Sequence, residues 1–131
     1  MEKIAVRTNK REEMLDITGK IQAAVTRSKA AEGVCVIFCP HTTAGLTINE
    51  NADPSVQSDI IQAMNKLIPE HAGYAHGEGN SDSHIKSSLF GPSLPVIVEN
   101  GKLALGTWQG IMLCESDGPR SREVWVKVIK G

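Results

Sequence analysis

The chain has 131 residues, of which 40% are hydrophobic and 22% are charged, and its formal net charge at pH 7 is -1. This length predicts a single domain, residues 1–131, that can bury a core without disulfides or structural metal ions. The Lys and Arg residues are scattered and only two Trp, two Phe and one Tyr are present, which argues against nucleic-acid binding through a clustered basic surface with stacking side chains.

The N-terminal part predicts two short strands and a helix. Ile4 and Val6 lie two apart between charged residues, which predicts a half-buried first strand. A second strand is expected from Met14 to Ile17. Thr18 is expected to cap the helix that follows, and Gly33 can stop it.

A central strand and a second helix come next. Residues 34–39 are apolar on both faces, which predicts a strand in the middle of a sheet. Pro40-His41-Thr42-Thr43 interrupts this strand, and residues 44–50 alternate again as the next one. Asp53 is expected to cap the second helix, which Pro69 ends.

A polar loop and a third helix follow. Residues 69–81 show neither helical nor strand periodicity, and structureless loops of about 12–15 residues are usually functional or disordered. Asn80 or Ser81 is expected to cap a short helix from residue 82 to about residue 90. After it, Asn100-Gly101 joins two strands in a predicted hairpin.

Residues 111–115 and 124–129 predict the last strands, on either side of Asp117-Gly118-Pro119. Strands, then helices, then a run of strands favour an α+β fold. We therefore expect a largely antiparallel β-sheet with two main helices and a short third helix. Apolar outer faces on several strands indicate a further packing partner, such as another subunit.

The sequence also bears on location. No apolar run approaches the roughly 20 residues that cross a bilayer, and residues 1–7 lack a segment of signal-peptide length. We therefore predict a cytoplasmic protein that binds no membrane. The three cysteines agree with a reducing compartment, because their number is odd and no Cys-x-x-Cys pair occurs.

Three histidines fall where binding sites are common. His76 lies in the polar loop, His84 in the first turn of the third helix and His41 just after the central strand. Three imidazoles with one open position would suit a divalent metal, zinc or magnesium. The interval between His76 and His84 is not a standard zinc spacing, so solvated or hydrogen-bonded histidines explain the same pattern.

Charged and small residues near these histidines suggest an anion site. The run from Gly77 to Ser81 leads into a helix, whose free N–H groups and dipole favour negative charge. Ordinary capping and a turn explain the same residues. Asp82 and Lys86 are four apart on that helix, where a surface ion pair also accounts for them.

Glu115 ends a strand in which Ile111 and Leu113 share its face, so a carboxylate lies on an otherwise apolar face. Burial of a carboxylate is costly unless it has a partner. Arg120, just past the turn, is the expected partner. An acid in this position indicates a functional role.

Three runs together resemble one known family. They are HTTAGLTINEN at 41–51, HGEGNSDSHIK at 76–86, and GTWQGI with ESDGPR at 106–111 and 115–120. With them the chain resembles the YjbQ-like family over nearly its whole length. Members of that family are described as α+β proteins and trimers, and some carry the label secondary thiamine-phosphate synthase. The resemblance therefore implies a homotrimer that joins a pyrimidine pyrophosphate to a thiazole phosphate, with pyrophosphate leaving.

The residue pattern and the resemblance together define a predicted site. We expect catalytic roles for Glu50, Lys86, Glu115 and Arg120, ligand binding by Asn51, Asn80, Ser81, Asp82 and Gln109, and metal binding by His41, His76 and His84. The predicted function is an enzyme that acts on a phosphorylated small molecule, with thiamine-phosphate synthase activity as the implied reaction. The alternatives are a non-catalytic binding protein for a phosphorylated metabolite and a metal-dependent phosphoester hydrolase.

Overall fold

Eight strands and three helices account for most of the chain in a computed structural model that describes residues 1–131. The strands are β1 (Glu2–Arg7), β2 (Glu13–Asp16), β3 (Gly33–Phe38), β4 (Ala44–Glu50), β5 (Ser93–Glu99), β6 (Lys102–Leu103), β7 (Gln109–Glu115) and β8 (Ser121–Lys130). The helices are α1 (Thr18–Ser28), α2 (Pro54–Leu67) and α3 (Ser81–Phe90). None of the helices is both long enough and apolar enough to span a membrane.

Two antiparallel sheets pack face to face. The larger sheet has the strand order β1-β8-β3-β5-β6, and the smaller has the order β2-β7-β4. Side chains alternate between the two faces of each strand, so one face of each sheet supplies the core. Cys35 and Val124 of the larger sheet share a fully buried apolar cluster with Leu46 and Leu113 of the smaller sheet. Ile21 of α1 belongs to the same cluster.

Helices form a third layer on the outer face of the smaller sheet. Met14, Met112 and Cys114 are buried there, against partly buried side chains of α2 and α3 that include Ile61 and Phe90. Strand β7 is therefore covered on both faces, by the larger sheet on one side and by helices on the other. This arrangement confirms the predicted α+β fold with largely antiparallel sheets.

Several local predictions are confirmed by the backbone and its hydrogen bonds. Strand β3 lies in the middle of the larger sheet, between β8 and β5. The Asp53 carboxylate caps α2 by accepting the N–H of Ser55 at 2.9 Å. Asn100 and Gly101 both have positive φ in the β5–β6 hairpin, as a tight turn of this kind requires.

Both predicted ends of α1 are wrong in detail, and Gly33 does not stop the helix because the C-cap is Lys29 and Gly33 already belongs to β3. Thr18 does not cap α1, because the cap position is Ile17 and Thr18 is already helical. The Thr18 hydroxyl instead accepts the N–H of Ile111 in β7 at 2.8 Å, so tertiary packing takes the oxygen that capping would use. Strands β7 and β8, whose pairing the sequence left open, belong to different sheets.

The connection between β7 and β8 therefore carries the chain from the smaller sheet to the larger one. Gly118 in this connection donates its N–H to the carbonyl of Arg11 at 3.0 Å. Ser116 donates its N–H to the carbonyl of Thr43 at 3.3 Å, just before β4. The same end of the sandwich thus gathers three loops: the β7–β8 connection, the segment before β4 and the segment between β1 and β2.

The outer face of the larger sheet carries exposed apolar side chains. Val34 pairs in register with Ile97 on one side and with Ile129 on the other. Val34 is 38% exposed, Ile97 65% and Ile129 53%. Phe38 lies near the other end of the same face, with its ring stacked on Trp125 at 5.7 Å between centroids. This face therefore carries exposed apolar side chains, and Lys3 lies at its border with Nζ 5.0 Å from the Trp125 ring centroid.

We predict that Gly118→Ala lowers the free energy of unfolding by about 3 kcal/mol, the upper part of the range for overpacking. A Cβ at this position would lie 2.2 Å from the backbone oxygen of Lys10, which has no flexible side chain to move aside. Urea denaturation measures the change. Gly19→Ala in α1 is the matched control, because nothing lies within 4 Å of its added Cβ and helix propensity predicts a gain of about 0.5–1 kcal/mol. Equal stability of the two variants would contradict the close approach.

Candidate functional site

A polar cavity of about 430 Å³ opens at the end of the sandwich where the three loops meet. We call it the histidine pocket. Its lining consists of Pro40, His41, Thr42, Thr43, His76, Glu78, Asn80, His84, Asp117, Arg120 and Arg122. The pocket therefore brings together the three histidines that the sequence singled out, which come from the segment after β3, the loop before α3 and α3 itself.

A buried ion pair lies behind this pocket. Glu115 at the end of β7 and Arg122 near the start of β8 face each other across the two sheets, and their side chains are 0% and 5% exposed. The Arg122 Nε–H donates to Glu115 Oε1 at 2.8 Å, and Arg122 Nη2 donates to the other carboxylate oxygen. Arg122 Nη2 also donates to the Thr43 hydroxyl at 2.9 Å. The pair therefore ties the two sheets and the segment before β4 together.

Glu115 is fully engaged in this network. It accepts the hydroxyl of Thr8 at 2.7 Å and the backbone N–H groups of Ser116 and Asp117 at 3.0 and 3.1 Å. Burial alone would raise the pKa of Glu115, but the hydrogen bonds from Arg122, Thr8 and Asp117 hold that pKa below its usual value. A carboxylate with this many donors and no exposure is suited to holding Arg122 rather than to exchanging protons.

The prediction that Arg120 pairs with Glu115 is wrong. Arg120 does not reach Glu115 but pairs with Asp117, donating from Nη2 to Oδ2 at 2.9 Å and from Nε to the backbone oxygen at 2.7 Å. Asn80 donates its side-chain N–H to the same Asp117 oxygen at 2.8 Å. Arg120, Asp117 and Asn80 thus form one rim of the histidine pocket. Asn80 makes no side-chain bond as the cap of α3.

His41 is held in one tautomer by the backbone. Its Nε2 accepts the N–H of Glu123 at 2.9 Å. Partial burial and the nearby Arg122 charge lower the pKa of His41, so the neutral imidazole is favoured. A neutral imidazole that accepts at Nε2 carries its proton at Nδ1, and it then presents an N–H donor rather than a free lone pair.

His76 and His84 lie against each other on the opposite side of the pocket. Their ring centroids are 5.4 Å apart and the rings meet edge to face at 87°. His84 is fixed by α3, since its backbone N–H bonds the carbonyl of Asn80 at 3.4 Å. His76 lies on the preceding loop, where its Nε2 is 3.9 Å from a carboxylate oxygen of Glu78.

The histidines do not fit the predicted triad of metal ligands. Metal coordination needs an unprotonated ring nitrogen, and in His41 one nitrogen accepts the Glu123 N–H while the other carries the proton. No three His, Cys, Asp or Glu side chains are grouped as a metal site would require. His76 and His84 are the remaining nitrogen ligands for any ion in this pocket.

Two of the predicted site residues lie in a separate buried cluster. Lys86 is 2% exposed and Asp82 is 0% exposed, so their pair is not the surface ion pair that the helix spacing suggested. Lys86 Nζ also donates to Glu12 and Asn65 at 3.2 and 2.6 Å, and Arg11 donates to both Asp82 oxygens. Burial would raise the pKa of Asp82, but hydrogen bonds from Arg11 and Lys86 lower it. This cluster anchors α3 to the segment before β2.

Three other predicted residues lie at the far end of the smaller sheet. Glu50 of β4 pairs with Gln109 of β7 at one end of these two strands, and Ala44 pairs with Glu115 at the other end. Six residues at roughly 3.4 Å each separate these ends by about 20 Å. Asn51 donates to Asp16 at 2.9 Å beside Gln109. The structure therefore does not bring Glu50, Asn51 and Gln109 into the histidine pocket of the same chain.

A second cavity adjoins the histidine pocket. It measures about 390 Å³ and is lined by Tyr74, Ala75, His76, Ser81, His84 and Ile85. We call it the apolar cleft, because most of its surface is carbon. His76 and His84 line both cavities, so the two imidazoles stand between a polar and an apolar compartment. Ser81 contributes to the cleft and not to the pocket.

The largest cavity is an open groove elsewhere, about 700 Å³ in volume, between β2 and α2. Its lining includes Lys10, Gln57 and Lys66 but no histidine. We place the candidate site in the histidine pocket because three imidazoles and two arginines converge there, and one of the imidazoles, His41, has a lowered pKa.

Arg122 is the functional residue that sequence reasoning missed. A signal for it is present in the last strand, where Val124 and Val126 face the core. Arg122 occupies the same inward register two residues earlier, just as Glu115 does after Ile111 and Leu113. Two opposite charges in inward register on consecutive strands of the sequence predict a buried pair.

Comparisons with known proteins agree over the whole chain. The family model described as UPF0047 protein YjbQ-like matches residues 2–131. UPF0047 protein MJ1081 of Methanocaldococcus jannaschii is 58% identical over 97% of this chain and 92% of its own length. UPF0047 protein YugU of Bacillus subtilis is 50% identical over 96% of each.

Solved structures show the same fold. An uncharacterized conserved protein of the yjbq/upf0047 family from Clostridium acetobutylicum superposes with a TM-score of 0.97 at 51% identity, covering 98% of this chain and all of that one. The conserved hypothetical protein TT1486 from Thermus thermophilus superposes with a TM-score of 0.92 at 42% identity, covering 98% of this chain and 100% of that one.

We predict that Glu115→Gln lowers the free energy of unfolding by about 3–5 kcal/mol at pH 7, because it leaves the buried Arg122 charge without a counter-charge. Urea denaturation measures the change. The control is Glu2→Gln, which breaks an exposed pair with Arg27 and should cost about 0–1 kcal/mol. The folded-state pKa of Glu115 lies below its usual value. The difference in the free energy of unfolding between the wild-type protein and Glu115→Gln is therefore complete at neutral pH, and it shrinks as the pH falls through that folded-state pKa. Equal losses in the two variants would contradict the assignment.

Proposed function

Because the chain belongs to the YjbQ-like family of UPF0047 proteins, we propose that its histidine pocket is the site of an enzyme that acts on a phosphorylated small molecule. The observation that carries this proposal is the convergence of three imidazoles and two guanidinium groups in one polar pocket. Phosphate oxygens are acceptors only, and guanidinium and imidazole N–H groups are the donors that bind them in proteins.

The apolar cleft supports a ligand with two unlike parts. A phosphate or pyrophosphate group would occupy the histidine pocket, and the organic part would enter the cleft beside Tyr74 and Ile85. His76 and His84 would then lie at the junction between the two parts, where the bond to the leaving group breaks. Imidazole is the side chain that most often transfers protons in catalysis.

This arrangement suits the reaction that the family resemblance implies. A pyrimidine pyrophosphate has a flat ring next to a charged leaving group, and a thiazole phosphate would attack at the carbon between them. The new bond joins the two rings as the bond to pyrophosphate breaks. In this proposal Arg120 and Arg122 hold phosphate oxygens, and His84 or His76 donates a proton to the departing pyrophosphate.

A non-catalytic binding protein is the second candidate, and the state of the carboxylates favours it. Glu115 and Asp117 each pair with an arginine. Glu78 on the exposed loop is then the one carboxylate on the pocket wall that no arginine neutralises. A pocket in which only an exposed loop acid is left free of arginine can bind a phosphorylated metabolite without transforming it.

Subunit contacts belong to the same proposal. We propose that the apolar outer face of the larger sheet, which includes Val34, Ile97 and Ile129, packs against other copies in a homotrimer. Exposed apolar patches of this kind mark interaction surfaces. The trimer and a cytoplasmic location stay predictions.

We predict that the wild-type protein, mixed with a pyrimidine pyrophosphate and a thiazole phosphate, forms thiamine phosphate and releases pyrophosphate. His84→Ala should lower the rate about 10²–10⁴-fold, the usual range for loss of a general acid. Coupled detection of pyrophosphate and chromatography of the product measure it. His71→Ala is the control, because His71 is exposed and lies outside both cavities.

Other results of that experiment point to other functions. Tight binding of either phosphate compound with no product after long incubation would favour the binding protein. Release of inorganic phosphate from generic phosphoesters would favour a hydrolase. A rate unchanged in both His84→Ala and His76→Ala would remove the histidine pocket from the mechanism.

We also predict that His41→Ala leaves the zinc content of the untagged protein unchanged, because neither nitrogen of His41 has a free lone pair. Any bound zinc or magnesium should instead depend on His76 and His84, with His71→Ala as the control. Elemental analysis after reconstitution measures the content. Loss of metal in His41→Ala, together with loss in His76→Ala and His84→Ala, would restore the three-histidine site. Absence of metal from every sample would end the expectation of a cofactor.

A further inference from the structure

The guanidinium group of Arg122 has one nitrogen to spare. Its Nε and Nη2 are used by Glu115 and by the Thr43 hydroxyl, whereas Nη1 makes no hydrogen bond. The one buried side-chain nitrogen or oxygen without a partner is Asn80 Oδ1. Nη1 is therefore not sealed inside the protein, and since Arg122 lines the histidine pocket, Nη1 has access to that pocket.

His41 offers a second donor on the same side of the pocket. Its Nε2 is occupied by the Glu123 N–H, and Glu123 follows Arg122 directly in β8. The remaining nitrogen, Nδ1, carries the proton of the neutral ring. Two neighbouring residues of one strand thus hold both donors: Arg122 contributes one itself, and Glu123 fixes the ring that contributes the other.

We propose that Arg122 Nη1 and His41 Nδ1 form a preset pair of N–H donors that binds an ionised phosphate oxygen, and that Glu115 is the positioning residue that aims Arg122. This inference rests on the proposed phosphate-binding function and names the residues that recognise the anion. Neither donor can accept a hydrogen bond and one of them is a cation, so the pair favours an anionic acceptor, such as a phosphate or pyrophosphate, over a neutral hydroxyl group.

The geometry explains why these donors would bind well. Side chains that are already held in place lose little conformational freedom when a ligand binds. Arg122 is locked by Glu115 and Thr43, and its residue is 5% exposed, which strengthens its electrostatic attraction to an anion relative to a solvated arginine. Arg120, by contrast, is 52% exposed and folded back onto Asp117, which makes it the weaker of the two contacts.

The first test uses inorganic pyrophosphate as the probe and calorimetry as the readout. Arg122→Lys keeps the charge but loses the forked geometry, and should weaken binding about 10–100-fold, the range for a charged hydrogen bond. Because one lysine nitrogen cannot replace all the bonds of Arg122 to Glu115 and Thr43, that variant can fold poorly, so the second variant is Glu115→Gln with Arg122→Met. It removes both charges together, which buried pairs tolerate, and should weaken binding by the same factor.

The control is Arg7→Gln on the neighbouring strand β1. Arg7 lies outside the pocket and bonds Ser121, so this variant removes one positive charge at a similar position and should leave binding unchanged. Equal weakening in Arg7→Gln and the Arg122 variants would show that the effect is not specific to the histidine pocket and would overturn the proposal. Unchanged binding in the double variant would overturn it as well.

The second test does not depend on any variant. Nitrogen-15 NMR of the histidine rings in the wild-type protein should show His41 neutral at pH 7 with its proton on Nδ1, and pyrophosphate should shift that Nδ1–H signal. A proton on Nε2, or a signal that pyrophosphate does not move, would overturn the donor pair.

The outcomes also separate this inference from the proposed function. If the wild-type protein binds pyrophosphate but the Arg122 double variant binds it equally well, the donor pair is wrong and the phosphate-binding function survives. If the wild-type protein binds neither pyrophosphate nor the phosphorylated substrates, both fail. Glu115→Gln alone should raise the dissociation constant less than Arg122→Lys does, as expected for a residue that acts through Arg122.

Discussion

The end of the molecule that holds the candidate site depends on the buried pair between Glu115 and Arg122. Two charges removed from water are expensive unless hydrogen bonds and mutual attraction offset the loss of hydration. Here Glu115 accepts from Thr8, from two backbone N–H groups and from Arg122, which in turn bonds Thr43. The partners come from both sheets and from three loops, so the ionic network joins the parts that an apolar core alone would leave free to shift.

The same network sets the chemistry of the histidine pocket. Glu115, which the sequence suggested as a catalytic residue, is fully used in binding Arg122. One nitrogen of Arg122 is left for the cavity. Burial and the positive charge of Arg122 lower the pKa of His41, which keeps its ring neutral. The pocket wall is consequently rich in N–H donors, and its acids, apart from the exposed Glu78, are neutralised by arginines. Beside it, the apolar cleft shares His76 and His84. A polar compartment next to an apolar one fits a ligand that joins a phosphate to an apolar group better than it fits a ligand that is charged throughout.

Helix α3 shows how one polar run serves two purposes. Asn80 and His84 are four apart and face the pocket, whereas Asp82 and Lys86 lie two positions further on and point to the other side of the helix. A period of 3.6 residues places such pairs on nearly opposite faces. Asp82 and Lys86 are therefore buried with Arg11, Glu12 and Asn65. The charged residues of the run hold the helix in place so that His84 can face the site.

The sequence alone determined the secondary structure, the α+β class, the central position of β3 and the loop that carries the site, because periodicity, capping and turn residues act over a few neighbours. The convergence of His41, His76 and His84 in one pocket could only be stated as an expectation. Tertiary structure decided the partners: Arg122 rather than Arg120 meets Glu115, and Glu50, Asn51 and Gln109 lie about 20 Å away at the far end of the strands. These choices depend on the crossing of the chain between two sheets and on the strand register, which bring together residues that are distant in sequence and leave no local signal.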